Sequence, residues 1–152
     1  MTFDQDRFAT ALIASMPDAV IYSDAEGLIR YWNKGAETIF GFAASDALGQ
    51  SLDIIIPEKL RQRHWDGYRR TMNTGKTRYG AGDLLAVPAI RKDGSRISIE
   101  FTIVPFHGEG GQMLGIAAVV RDVTTRFEEM RALRAAAANK HNNNERTVGP
   151  NS

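Results

Sequence analysis

The chain contains no cysteine. Composition alone therefore excludes disulfides, thiolate zinc sites and cysteine nucleophiles. No apolar run approaches the ~20 residues that a bilayer-spanning helix needs. The first seven residues are acidic and polar, unlike a secretory signal. Neither sign of charge dominates: 19 basic residues face 18 acidic ones, for a net charge of +1. There is thus no bulk electrostatic basis for binding nucleic acid or an anionic membrane, and neither is expected as a partner. A cytoplasmic location is the corresponding expectation. Motifs of catalysis are missing as well. No serine sits in a G-x-S-x-G elbow, and no H-E-x-x-H or paired-carboxylate pattern occurs. Gly80-Ala81-Gly82 precedes an expected strand and does not join a strand to a helix, so it is not a phosphate loop. No enzymatic activity is expected.

What is present is an ordinary globular composition, 43% hydrophobic and 24% charged over 152 residues, the size of one domain. Phe8, Ala11, Leu12, Ser15 and Met16 share one helical face, so residues 3 to 15 read as an amphipathic helix stopped by Pro17. Residues 19 to 23 and 28 to 33 form strands around the Asp24-Ala25-Glu26-Gly27 turn. Asn33 caps a short helix over 35 to 40 that Gly41 closes. A helical turn over 45 to 49 and an apolar plug at 53 to 56 follow. Pro57 then opens a helix to about 73, with Leu60, His64, Tyr68 and Met72 on one face. Three strands come next, at 83 to 91, 96 to 104 and 112 to 120. In the second of them Ile97, Ile99, Phe101 and Ile103 alternate with polar residues, which implies one buried face. A charged helix occupies 124 to 138.

This order implies an α+β fold: a five-stranded antiparallel sheet with short helices on one face and flanking N- and C-terminal helices. The expected organisation is a terminal amphipathic helix over 1 to 16, a core over 17 to 123, a signalling helix over 124 to 140 and a disordered tail over 141 to 152. A hollow between sheet and helices is the natural seat for a small molecule. The apolar run 116 to 120 ends in Arg121-Asp122-Val123-Thr124. Asp122 and Thr124 can satisfy exposed backbone where strand becomes helix, which marks them as signalling residues.

Five strings in order carry a family resemblance: 17 to 42 (P-D-A-V-I-Y-S-D-A-E-G-L-I-R-Y-W-N-K-G-A-E-T-I-F-G-F), A-L-G-Q-S-L at 47, I-I-P-E-K-L-R at 55, R-K-D-G-S at 91 and R-D-V-T at 121. With these, residues 8 to 138 resemble the PAS (S-box) sensory domains. The resemblance implies a module that senses a ligand, cofactor, redox state or light. It also implies a kinase, cyclase or transcription regulator as output, for which 152 residues leave no room. The missing cysteine removes the flavin-adduct and thioester photochemistries of the family. I-I-P-E-K-L-R-Q-R-H at 55 to 64 is similar to the segment carrying the iron-ligating histidine of heme-PAS oxygen sensors. By that resemblance His64 is the metal ligand of heme b. Tyr68 then meets the ring edge, Arg69 the propionates, and Leu85, Phe101 and Ile103 form the distal wall beside Asp83. In the family pattern the aromatic follows the histidine by three positions; here Tyr68 follows by four, which aligns Trp65 with the ligand instead.

The residues keep other readings open. His64 is either an iron ligand or a half-buried helix residue bonded to a backbone carbonyl. Trp32, Trp65 and Asn33 could hold a non-covalent FAD, or serve strand packing and helix capping. The cluster Arg61, Arg63, Arg69, Arg70 and Arg78 could clamp propionates or an acidic partner, or be a solvated face balanced by Glu58 and Asp66. A cofactor-free interaction domain is the remaining alternative. The apolar stripes of both terminal helices, Phe8, Leu12 and Met16 on one and Val123, Phe127, Met130 and Ala137 on the other, suggest a homodimer.

Overall fold

The computed structural model describes residues 2 to 76 and 84 to 147 and divides into two compact units, Met1–Asp122 and Val123–Ser152. The first unit opens with α1 (Gln5–Ser15), capped by the Asp4 carboxylate on the Arg7 amide. None of its residues is buried: Phe8 and Leu12 remain 53% and 52% exposed, so the apolar stripe read from the sequence has no seat in this unit. The hairpin β1 (Ala19–Asp24) and β2 (Ile29–Trp32) follows, then α2 (Lys34–Phe40) and α3 (Ala44–Ala47). Two short 3-10 turns, Leu52–Ile55 and Glu58–Leu60, lead into α4 (Arg61–Thr74). Pro57 thus opens a 3-10 turn, and the regular helix begins four residues later than the proline suggests. The last strands are β3 (Leu85–Ile90), β4 (Arg96–His107) and β5 (Met113–Asp122). Asp83, Arg78 and Gly80 to Gly82 lie outside the described residues.

The five strands form one antiparallel sheet in the order β2-β1-β5-β4-β3. The register places Ala19 and Ile21 of β1, Val120 and Ala118 of β5, and Ile97 and Ile99 of β4 toward the helices. Against this face pack Ala36 and Phe40 of α2, Ala47 of α3, Leu52 and Ile55 of the first 3-10 turn, and Tyr68 of α4. The five-stranded antiparallel sheet with short helices on one face, expected from the sequence, is the observed one.

The entry into the sheet is organised by one amide. Asn33 is 3% exposed; its Oδ1 accepts from the amides of Val20 (2.8 Å) and Ala36 (2.9 Å). Its Nδ2 donates to the carbonyls of Ile13 (2.8 Å) and Asp18 (3.0 Å). One side chain therefore caps α2 and ties the end of α1, the linker and β1 together. Gly35 makes this approach possible, because a Cβ there would collide with the carbonyl oxygens of Asp18 and Pro17.

The second unit is α5 (Thr124–Thr147). It extends past residue 140, where the polar Asn-rich run was expected to become disordered. No glycine or proline interrupts the chain before Gly149-Pro150, so nothing in the sequence stops the helix at 141. Residues 148 to 152 lie outside the described residues. The Arg131 guanidinium lies 6.0 Å from the Phe127 ring centre, and Phe127, Met130 and Leu133 are exposed.

Asn33→Ala removes the acceptor of two amides and the donor to two carbonyls in a buried position. The expected loss is about 2–4 kcal/mol of unfolding free energy, read as a lower urea midpoint with unchanged slope.

Candidate functional site

Helix α4 carries the residues singled out by the sequence, and it lies on the sheet through a polar joint. The Tyr68 ring is buried in the core and its hydroxyl donates to the backbone carbonyl of Asp24. A phenol has one proton to give, so the Ser23 hydroxyl, 2.9 Å away, is the donor to the Tyr68 oxygen. Ser23 is 3% exposed and also lies 3.5 Å from the Ile116 carbonyl of β5. Burial, opposed in part by the Ser23 hydrogen bond, pushes the Tyr68 phenol up to about 12. Tyr68 is therefore committed to holding α4 on β1, and its hydroxyl is not free for the edge of a bound ring.

One turn earlier the situation is reversed. His64 is largely buried, its ring 4.7 Å from Trp65 and 5.7 Å from Tyr68 between centroids. Its Nδ1 is buried with no hydrogen-bond partner among the described residues, so the backbone carbonyl expected for a purely structural histidine is not there on that nitrogen. Desolvation holds its pKa below the ordinary value of 6.5, with the Asp53 carboxylate offsetting part of the effect. The imidazole is thus neutral near pH 7, with a buried nitrogen to spare, which is the donor chemistry an iron ligand needs.

Trp65 closes the other side. Its Nε1 donates to Asp53 Oδ1 (2.7 Å), and its ring lies against Gly27 of the β1–β2 turn, where any Cβ would run into it. Arg61 Nε bonds the Ile56 carbonyl (3.0 Å). Arg63, Arg69 and Arg70 are exposed. Leu85 pairs with Phe101 across β3 and β4, and Phe101 packs at the margin of the core. Ile103, half-buried, lies opposite Ala118. Asp122 ends β5 and Thr124 opens α5. Two shallow depressions among the described residues lie elsewhere, one beside Phe40, Gly41 and Arg91, the other along α1. Trp32 donates to the Phe42 carbonyl (2.9 Å) and Asn33 caps α2, so both follow the structural reading given to them.

Ser23 was not singled out from the sequence. Its signal was there: a hydroxyl at the core-facing parity of β1, in line with Ala19 and Ile21, needs a buried partner.

The family model of the PAS fold matches residues 8–123, most of the chain. The chain belongs to the PAS family. Among curated proteins, this PAS domain is 30% identical over 114 residues to the sensor protein FixL of Bradyrhizobium diazoefficiens, covering 75% of this chain and 22% of that protein. It is 28% identical over 122 residues to the oxygen sensor protein DosP of Escherichia coli, covering 80% of this chain and 15% of that protein. The chain therefore spans at most about a fifth of these relatives. The crystal structure of a PAS domain from Colwellia psychrerythraea superposes with a TM-score of 0.67 at 25% identity, covering 80% of this chain and 99% of that one. No helix among the described residues is long and apolar enough to cross a membrane.

Two outcomes follow for this PAS domain. Tyr68→Phe removes the hydroxyl that joins α4 to Ser23 and to the Asp24 carbonyl and is expected to cost about 0.5–1.5 kcal/mol, measured by urea unfolding. Because the folded-state pKa of His64 lies below its unfolded value of 6.5, the unfolded chain takes up the proton first as the solution is acidified. Stability contributed by neutral His64 is complete above that value and is lost as pH falls through the folded pKa. Thermal midpoints of the wild type should drop below pH 6.5 more steeply than those of His64→Gln.

Proposed function

We propose that this chain is the ligand-sensing module of a larger signalling protein, holding a small molecule or cofactor under α4 and relaying its state through terminal helices that form a homodimer. The observation that carries the reading is the neutral His64 imidazole with a buried, unpartnered Nδ1 on that helix. It stands in a segment similar to that of heme-PAS oxygen sensors, and one curated relative is an oxygen sensor protein. Heme b is the cofactor this donor fits. His64 would hold the iron, Leu85, Phe101 and Ile103 would supply an apolar wall, and exposed Arg69 would reach only the outer, propionate side. Tyr68 takes a positioning role, seating the helix that carries His64. A bound heme would supply an iron centre responsive to gas or redox state.

The relay runs from α4 to the sheet through Tyr68 and Ser23, and out along β5 to Asp122 and Thr124. The output partner is a kinase, a cyclase or a transcription regulator elsewhere in the full protein or its complex. The module itself is non-catalytic and cytoplasmic, with neither nucleic acid nor membrane as partner.

A cofactor-free interaction domain is the second reading. It is favoured by Trp65 lying closed over Gly27. A flavin finds less support, since Trp32, Asn33 and Trp65 all spend their polar groups on the protein.

Absorption spectra during hemin titration separate these. The expected result is a saturable Soret band in wild type that is lost in His64→Ala. Blue bands from purified protein would point to FAD, and no band in either experiment would leave the cofactor-free domain.

A further inference from the structure

Trp65 fills a slot whose walls stand without it. Its indole makes one hydrogen bond, from Nε1 to Asp53 Oδ1 (2.7 Å), and stands edge-on between two rings, 4.7 Å from His64 and 5.3 Å from Tyr68. The ring occupies the space over Gly27, whose positive φ of 80° disfavours any side chain that would fill that space instead. Each wall has its own support. Tyr68 is fixed by Ser23 and the Asp24 carbonyl. The Gly27 amide donates to the Asp24 carbonyl (3.0 Å), and the Gly27 carbonyl accepts from the Leu52 amide (3.2 Å). The Asp53 amide donates to Ser51 Oγ (3.1 Å), and Arg61 Nη2 donates to the Asp53 carbonyl (3.3 Å). The indole, by contrast, is only half-buried.

We propose that Trp65 is the built-in occupant of a ligand site. The slot between His64, Tyr68, Gly27 and Asp53 takes a planar heteroaromatic compound with one ring N–H, which displaces the indole. The ligand class follows from the contacts that the indole makes. A flat fused ring matches the gap over a glycine, and the aromatic walls favour an edge-to-face neighbour. A carboxylate held in place by the bonds of its own backbone asks for an N–H donor. The exchange conserves that bond, because the entering N–H takes over the acceptor that the indole gives up. The departing indole is already partly in water, so it loses only part of a buried ring's stabilisation. An apolar ring of the same shape would not replace the bond to Asp53. This inference rests on the reading above that α4 covers a small-molecule site, and not on that molecule being heme.

Indole itself is the probe. The chain has two tryptophans, so full-length protein labelled with fluorotryptophan gives two fluorine NMR signals, assigned with Trp65→Phe. Added indole is expected to move the Trp65 signal saturably toward that of free tryptophan and to leave the signal of buried Trp32 in place. Trp65→Ala, with the slot vacant, should bind indole more tightly than wild type does. It should also prefer indole about tenfold over naphthalene, which has the shape without the N–H, the size of one charge-assisted hydrogen bond. Adding Asp53→Ala to Trp65→Ala should abolish that preference. A Trp65 signal that indole does not move overturns the proposal, whether or not Trp65→Ala folds. Equal binding of indole and naphthalene by Trp65→Ala overturns it too. A Soret band with hemin while indole leaves Trp65 in place would keep the cofactor reading and sink this one. Displacement of Trp65 by indole in a chain that takes up no hemin would support the slot and remove heme.

Discussion

The structure depends first on the carboxamide of Asn33. Four segments meet there, the end of α1, the linker, β1 and the start of α2, and each presents backbone groups that the others cannot satisfy. A carboxamide has two donors and an acceptor with two lone pairs, so one buried side chain answers all four. Its neighbours follow from that placement. Trp32, one residue earlier, is aimed into the core, and Gly35, two later, gives up its side chain so that the linker can lie against α2. The Arg121 to Asp18 ion pair at 3.0 Å adds a tie from the end of β5 to the same linker. Entry and exit of the first unit are therefore anchored on one short segment.

Helix α4 shows the opposite treatment of buried polar groups within one turn. Tyr68 is fully answered by Ser23 and Asp24, whereas His64 keeps a nitrogen with no partner among the described residues. An unanswered buried nitrogen lowers stability, and this one lies a single turn from a hydroxyl whose bonds are all made. The joint beneath it also has a direction. Ser23 lies between Tyr68 of α4 on one side and the Ile116 carbonyl of β5 on the other.

Much of this was legible beforehand. The period of two in 97 to 103, the glycine-marked turns and the cap at Asn33 each have a local cause, and the sheet and the short helices follow from them. The boundaries that shifted did so for equally local reasons: Pro57 is compatible with a 3-10 turn as well as a helix, and 141 to 147 contain no breaker. The site was legible only in part. His64 and Tyr68 fall on one face by spacing, yet spacing could not tell that one hydroxyl is spent and one nitrogen is not. Ser23 carried a parity signal without a visible partner, because that partner is 45 residues away.

The sequence by itself determined the elements, the buried face of the sheet and the chemistry available, since periodicity, turn residues and composition act over a few residues. Only the tertiary structure decided which polar groups are answered, that Trp65 closes over Gly27, and that α1 buries none of its residues. These are matters of distance between segments far apart in the chain, and no local pattern encodes them.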